Sequence, residues 1–419
     1  MSSFLIAFLF YYPLIMGITW SIGGLIYYIR RERNIRSHNF IYTEAPFVSI
    51  LIPAYNESET IGETIRYTSS IDYPNYEVIV INDGSSDNTK SILQDALKKY
   101  SNLRIVNVAQ NKGKANALKQ GLLVSKGEII VTIDSDAILD KDALHYIVPH
   151  FISPNNSERV GAVTGNPRIR NRTSLLAKIQ LTEYASIIGL IKRTQRIFGK
   201  VMTVSGVIAA FRKKALLDAE MWDNDLITDD IGVTWKLQRR FWDVRYEPRA
   251  LCWMLVPETL TGIWKQRIRW TQGGIEVLLR HWDIFLDYRQ RRLYIVYIEQ
   301  LLSILWAFTW FVSMIVFIFQ IVTGNAIESP ILWMGNYLAI VCLFQFFVAL
   351  YIERKYEPNI LSFLAWAVWY PILYWHINAL LVIFAFPKAF RVLSKNRNQY
   401  ATWLSPDRGI SNTEKKEVS

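Results

Sequence analysis

The sequence predicts an α/β domain inserted between transmembrane helices. Two observations predict it. Long uncharged runs stand near both ends of the 419-residue chain, and between residues 46 and 250 short runs rich in Val and Ile alternate with helical patterns. A bilayer core takes roughly 20 apolar residues in a helix, and 51% of this chain is hydrophobic, concentrated in those end runs.

The first run, residues 4–28, reads "FLIAFLFYYPLIMGITWSIGGLIYY". It lacks the basic leader and small-residue cleavage site of a signal peptide, so residues 1–30 read as a retained membrane anchor. Apolar runs near 296–323, 331–352 and 360–386 place about three more spans in residues 293–388, followed by a polar tail, 389–419. Pro371, His376 and Asn378 can interrupt the last run. Four full spans put the tail outside, whereas Lys388, Arg391, Lys395 and Arg397 favour the cytoplasm.

The formal charge of +11, 47 basic residues less 36 acidic, has a partly topological origin. Arg30, Arg31, Arg33 and Arg36 follow the first span, and Lys265 to Arg292 precede the second. By the positive-inside rule both flanks are cytoplasmic, and so is the polar middle between them. Cations gathered at headgroup level point to the lipid bilayer, not nucleic acid, as partner. Two cysteines cannot build a disulfide framework. The five histidines show no zinc-ligand spacing.

In the middle, "VSILIPAY", "EVIVIND", "RIVNV" and "EIIVTIDSD" are candidate strands. Between them "SETIGETIRYTSSI", "NTKSILQDALKKY" and "KANALKQGLLVSK" carry apolar residues at helical spacing. Such alternation implies right-handed crossovers and a mostly parallel sheet covered on both faces. Ligands bind such sheets at the carboxyl ends of the strands. A cytosolic domain over 46–260 is then followed by an amphipathic segment, 261–292. There "GIWKQRIRWTQGG" mixes cations with tryptophans, which places Trp264 and Arg267 at headgroup level.

The strand ends carry acids and turn residues. "IPAYNES" ends the first with Pro53, Tyr55, Asn56 and Glu57, and "VINDGSSDNT" ends the second with Asp83 and Gly84; an Asx turn and helix cap account for the latter as well as ligand binding does. In "VTIDSDAIL", Asp134 and Asp136 stand two apart, on the same side of an extended backbone. Such a pair suits a hard divalent cation that also takes phosphate oxygens, although short acid pairs are common in solvated loops. Thr228 can cap the helix that Asp229 and Asp230 open; alternatively one of these carboxylates serves as a general base. Lys114 opens a helix behind a loop glycine, where free amides and an ammonium suit a diphosphate.

In this order, "IPAYNE", "NDGSSD", "KGKANAL", "DSDA", "TDD" and "QRIRW" resemble the processive family-2 glycosyltransferases, the membrane-embedded polysaccharide synthases. The stretches "GAVTGNPRIRNRTSLLAKIQLTEYASIIGLIKRTQRIFG", "TVSGVIAAFRKKAL" and "YEPRALCWMLVPETLTGIWKQRIRW" narrow the likeness to bacterial poly-β-1,6-N-acetylglucosamine synthases of biofilm matrix. The resemblance implies a Rossmann-like nucleotide-sugar domain of GT-A type, acting on UDP-N-acetylglucosamine and a growing polysaccharide at a bacterial cell membrane. It implies that Pro53, Tyr55, Glu57 and Asp83 meet the nucleotide and that Lys114 lies near the diphosphate. Asp136, with Asp134, would hold Mg²⁺ or Mn²⁺. Asp230, beside Asp229, becomes the general base, and Gln266, Arg269 and Trp270 act over donor and acceptor. A small membrane accessory subunit is also implied. Asn82 and Asp229 depart from the commoner "DDGS" and "TED" patterns without touching those roles. Trp306, Trp310, Trp366, Trp369 and Trp375 offer stacking faces for sugars in the spans, although lipid-facing packing is the commoner use of such rings.

Overall fold

The computed structural model describes residues 3–34, 45–154, 157–324, 329–394 and 401. Arg36, Lys395, Arg397 and all of the tail beyond Ser394 except Ala401 lie outside the described residues. The chain divides into two compact units. One comprises Arg36–Arg172, Lys200–Gly262 and Lys395–Ser419; the other comprises Met1–Ile35, Thr173–Gly199 and Ile263–Ser394. Residues 173–199, placed by sequence within the 46–260 domain, group with the helical unit.

In the first unit the described strands are β1 (Val48–Ala54), β2 (Tyr76–Asp83), β3 (Leu103–Val108), β4 (Ile129–Ile133), β5 (Ile138–Leu139), β6 (Val160–Ile169), β7 (Ile208–Arg212) and β8 (Asp243–Met254). They form one sheet in the order β3-β2-β1-β4-β7-β6-β8-β5. β1 and β4 are buried along their whole length, the pattern of a sheet covered on both faces. Alternate residues divide between two cores. Val48, Ile50 and Ile52 pack with Ile61 and Ile65 of the helix Ile61–Thr68. Leu51, Ile79 and Ile81 pack with Ala117, Leu118 and Leu122 of the helix Lys114–Val124.

The four strands read from sequence pair in parallel as expected. Four of the seven pairs among the described strands are parallel, and the strands not foreseen add three antiparallel pairs. β7 runs antiparallel to β4 and β6, β6 runs parallel to β8, and β5 runs antiparallel to β8, so the sheet is mixed. β6 carries Gly161, Gly165 and Pro167, and β8 carries Pro248, residues that weaken a strand reading. The ladder accommodates Pro248 at an irregularity. Thr164 pairs with Tyr246 and Asn166 with Leu251, so Gly165 alone faces Glu247–Ala250, and the Asn166 amide donates to the Pro248 carbonyl (3.0 Å).

Among the described residues of the helical unit, four helices are long and apolar enough to cross a bilayer: Phe4–Glu32, Tyr288–Val322, Met334–Glu353 and Tyr370–Arg391. The apolar run 360–386 does break: a 3-10 helix, Pro358–Val368, precedes a π turn at Tyr370–Tyr374. A buried ionic cluster joins three helices here. The Arg193 guanidinium makes a two-pronged contact with Glu32 (2.7 and 3.0 Å) and also donates to Glu353, while the Tyr356 hydroxyl donates to Glu32 (2.6 Å).

The expectation that Arg267 sits at headgroup level is corrected in this unit. Arg267 is buried, 8% exposed, and bonded to Glu183, and Trp264 packs edge-on against Phe384 at 5.6 Å. Arg267 faces protein, because α-helical spacing turns its stripe of Leu260–Arg280 inward, whereas Trp264 stays half-buried. Of the tryptophans offered as sugar platforms, Trp306 stacks on Trp375, Trp310 stacks on His376, and Trp366 lies under the Lys178 ammonium.

Candidate active site

The site is assembled at the carboxyl ends of β1, β2 and β4, where the strand–helix turns leave backbone amides and short polar side chains. Asn56 adopts a left-handed conformation (φ 54°), tolerable for Asn. Its Oδ1 accepts from the Ser86 amide (2.8 Å), and its own amide donates to Ser85 Oγ (3.0 Å), stitching the β1 turn to the β2 turn. Gly84 (φ +72°) is required between them, since a Cβ there would stand 2.8 Å from the Asn111 amide nitrogen. Glu57 is buried and accepts the Thr60 hydroxyl (3.0 Å), Pro53 lies buried in β1, and Tyr55 is half-buried.

Asp83 accepts amides of the Lys112–Gly113 loop, 2.8 Å from Gly113 N and 3.2 Å from Lys112 N. Burial pushes its carboxyl above the ordinary range against the pull of those amides. This carboxylate therefore shapes the loop that delivers Lys114.

Lys114 is the electrostatic centre. Its Nζ lies 2.6 Å from Asp134 Oδ1 and 3.4 Å from the Gly206 carbonyl oxygen. Burial opposes its charge, but Asp134, Asp229 and Asp230 outweigh burial and hold the ammonium above its usual range. Three carboxylates thus share one cation. Gly206 was not foreseen, and its role is spatial: a Cβ would stand 3.2 Å from Asp230 Oδ2 and 3.6 Å from Lys114 Nζ. Glycine carries no chemistry to read from sequence; only the stretch "TVSG" preceding β7 marked the place.

Asp229 and Asp230 open the helix Asp229–Arg239 and stay half-exposed. The capping account of this turn fails in one respect. Thr228 makes no side-chain cap bond, and its buried Oγ1 has no partner among the described residues. Asp134 and Asp136 also differ from the extended reading. β4 stops at Ile133, and the Ala137 amide donates to the Asp134 carbonyl (3.1 Å), so the pair sits in a turn. Asp136 is nearly buried, whereas Asp134 keeps about a quarter of its side chain open (24%).

Among the described residues no group of three or more His, Cys, Asp or Glu could enclose a metal ion. The donors present are carboxylate oxygens, in excess over the one ammonium. That set fits a hard divalent cation taking most of its ligands from phosphate oxygens and water, as Mg²⁺ does on one or two carboxylates.

In the helical unit, Gln266 is buried, and Arg269 and Trp270 are half-buried. Trp270 lies beside Tyr184, ring centroids 6.4 Å apart, and under the Arg267 guanidinium at 4.5 Å.

Three comparisons place this arrangement among known proteins. Residues 45–273 match the family described as Glycosyltransferase like family 2. The chain belongs to that family and has the mixed-sheet fold of GT-A-type glycosyltransferases. Within it, the chain is 43% identical over 413 residues to a poly-beta-1,6-N-acetyl-D-glucosamine synthase of Staphylococcus epidermidis, covering 96% of this chain and 98% of that one. It is 42% identical over 421 residues to a Staphylococcus aureus protein of the same name, at the same coverages. The fold is also similar to that of a mannosyltransferase from Pyrobaculum calidifontis solved with GDP-Man and Mn2+. The TM-score is 0.53 and the identity 20%, over 91% of this chain and 99% of that one. The chain is a membrane glycosyltransferase.

Proposed function

We propose that this enzyme polymerises N-acetylglucosamine from UDP-N-acetylglucosamine into β-1,6-linked poly-N-acetylglucosamine and passes the polymer out for biofilm matrix. The observation that carries this reading is the near full-length likeness to the staphylococcal synthases. The catalytic unit faces the cytoplasm of a bacterial cell, where the nucleotide sugar is made, in keeping with the basic flanks of the spans.

Pro53, Tyr55 and Glu57 line the uridine side, and Asp83 sets the loop beside it. Lys114 lies where it offsets charge on the diphosphate, with Asp134 and Asp229 fixing its ammonium. Asp136 and Asp134 would hold Mg²⁺ or Mn²⁺, which supplies charge withdrawal from the departing UDP. Asp230 takes the proton from the acceptor 6-hydroxyl as that oxygen attacks C1 of the donor, inverting the α-linked sugar to a β-linkage. Its half-exposed carboxylate, held open by Gly206, supports that role. Holding hydroxyl and C1 in one geometry supplies much of the acceleration. From the "QRIRW" motif, Arg269 is assigned to the leaving UDP, Trp270 to the acceptor ring and Gln266 to their placement. A small membrane subunit assists elongation.

Product size after incubation with labelled UDP-N-acetylglucosamine tests the reading. A processive synthase yields long polymer while most acceptor stays unextended. A ladder of one- and two-sugar products, or transfer from UDP-glucose at an equal rate, contradicts it.

A further inference from the structure

We propose that Glu183 is a positioning residue for the "QRIRW" segment, holding Arg267 and through it the ring of Trp270. Glu183 ends the helix Leu175–Glu183, and its Oε2 accepts from Arg267 Nη2 at 2.6 Å; their side chains are only 2% and 10% exposed. The neighbouring apolar cluster of Ile179, Ile263, Phe346, Tyr370 and Tyr374 is where an apolar pair would pack equally well. A buried ion pair gains little net stability over such a replacement, so packing alone gives no reason for it. What it supplies is direction. The carboxylate aims the guanidinium, whose Cζ lies 4.5 Å from the centroid of Trp270, three residues further along the same helix face. The chain widens to a π turn immediately after Glu183, and Tyr184, its first residue, lies beside the same Trp270 ring, tilted to it at 60°. Trp270 is thereby held by Arg267 and Tyr184, and both contacts depend on the Glu183–Tyr184 corner.

The inference rests on Trp270 serving the acceptor sugar. A misplaced platform should lose polymer formed, not donor bound. In full-length protein in lipid vesicles with UDP-N-acetylglucosamine and Mg²⁺, E183Q should keep its KM for donor within about twofold. Its sugar incorporated per UDP released should fall about tenfold, the scale of a small misplacement, and E183D should recover part of that ratio. A wild-type ratio in E183Q, or equal loss of UDP release and polymer at constant ratio, overturns the inference. If E183Q does not accumulate in membranes, E183D and R267K carry the test: both keep the charges but alter the contact, and wild-type ratios in both overturn it. Trp270→Ala separates the two ideas. A wild-type ratio there sinks the assignment of Trp270 itself; a lowered ratio there beside a normal one in E183Q sinks only the positioning role.

Discussion

Asp230 and Asp136 carry the sharpest residue-scale claims. Asp230 is one of the three carboxylates around Lys114, and Asp136 stands two residues after another of them, Asp134, yet their proposed duties differ. A base acts on the acceptor, so Asp230→Asn should leave UDP-N-acetylglucosamine binding nearly intact while turnover falls roughly 10²–10⁴-fold. Equilibrium binding measured beside steady-state rates checks this; lost donor binding would return Asp230 to a helix-start acid. Asp136→Asn should instead abolish metal-dependent UDP binding in a protein that still folds and inserts, and unchanged affinity with Mg²⁺ removes Asp136 from the metal. Glu247 gives a pH signature unrelated to catalysis. Burial opposes its charge, but bonds from Arg249 and His150 prevail and hold the carboxyl at about 2 instead of 4.5. A depressed carboxyl stabilises the fold above its unfolded pKa and loses that contribution as pH falls from about 4.5 to about 2, a term on the order of 3 kcal/mol. Melting from pH 7 to 2.5 should therefore show Glu247→Gln less stable than wild type near neutrality, the two converging in acid. A constant gap would mean the ion pairs contribute nothing.

Among elements, the helices around Arg193 are the most exposed to a single change. Arg193→Met leaves Glu32 and Glu353 buried without their guanidinium, a loss of about 3–5 kcal/mol for a broken buried pair. The temperature of thermal inactivation should fall accordingly, and the triple exchange of Arg193, Glu32 and Glu353 for apolar residues should restore much of it; a neutral Arg193→Met would show the cluster to be dispensable. Neither this cluster nor the Glu183–Arg267 pair was legible in sequence, because Arg193 is 161 positions from Glu32 and Arg267 is 84 from Glu183. Strands β1, β2 and β4 were legible because both faces are buried and they read as runs rich in Val and Ile, and the half-exposed edge strand β3 was legible from the short apolar run in "RIVNV". β6 and β8 were hidden by glycines and prolines that an irregular ladder tolerates. At the site, Asp83, Lys114 and Asp230 were legible as acids and a lysine at strand ends and helix starts. The geometry of Asp134 and Asp136 was not, since that reading assumed an extended backbone where the chain turns.

For the whole molecule, a family-2 catalytic unit and spans of bilayer length occur in one chain. That union suits chemistry in which sugar enters as a soluble nucleotide and leaves as polymer. Within the spans, Trp306 stacks on Trp375 and Trp310 on His376, so polymer passage needs other surfaces or their rearrangement. The central claim is that the acidic strand-end cluster builds a β-1,6-linked N-acetylglucosamine polymer. Linkage analysis of polymer made by the purified protein from UDP-N-acetylglucosamine tests it most directly. The account predicts 6-substituted N-acetylglucosamine throughout the chain, with polymer from Asp230→Asn lower by roughly 10²–10⁴-fold under the same conditions. A 3- or 4-substituted product, or linked polymer from Asp230→Asn at the wild-type rate, would contradict it.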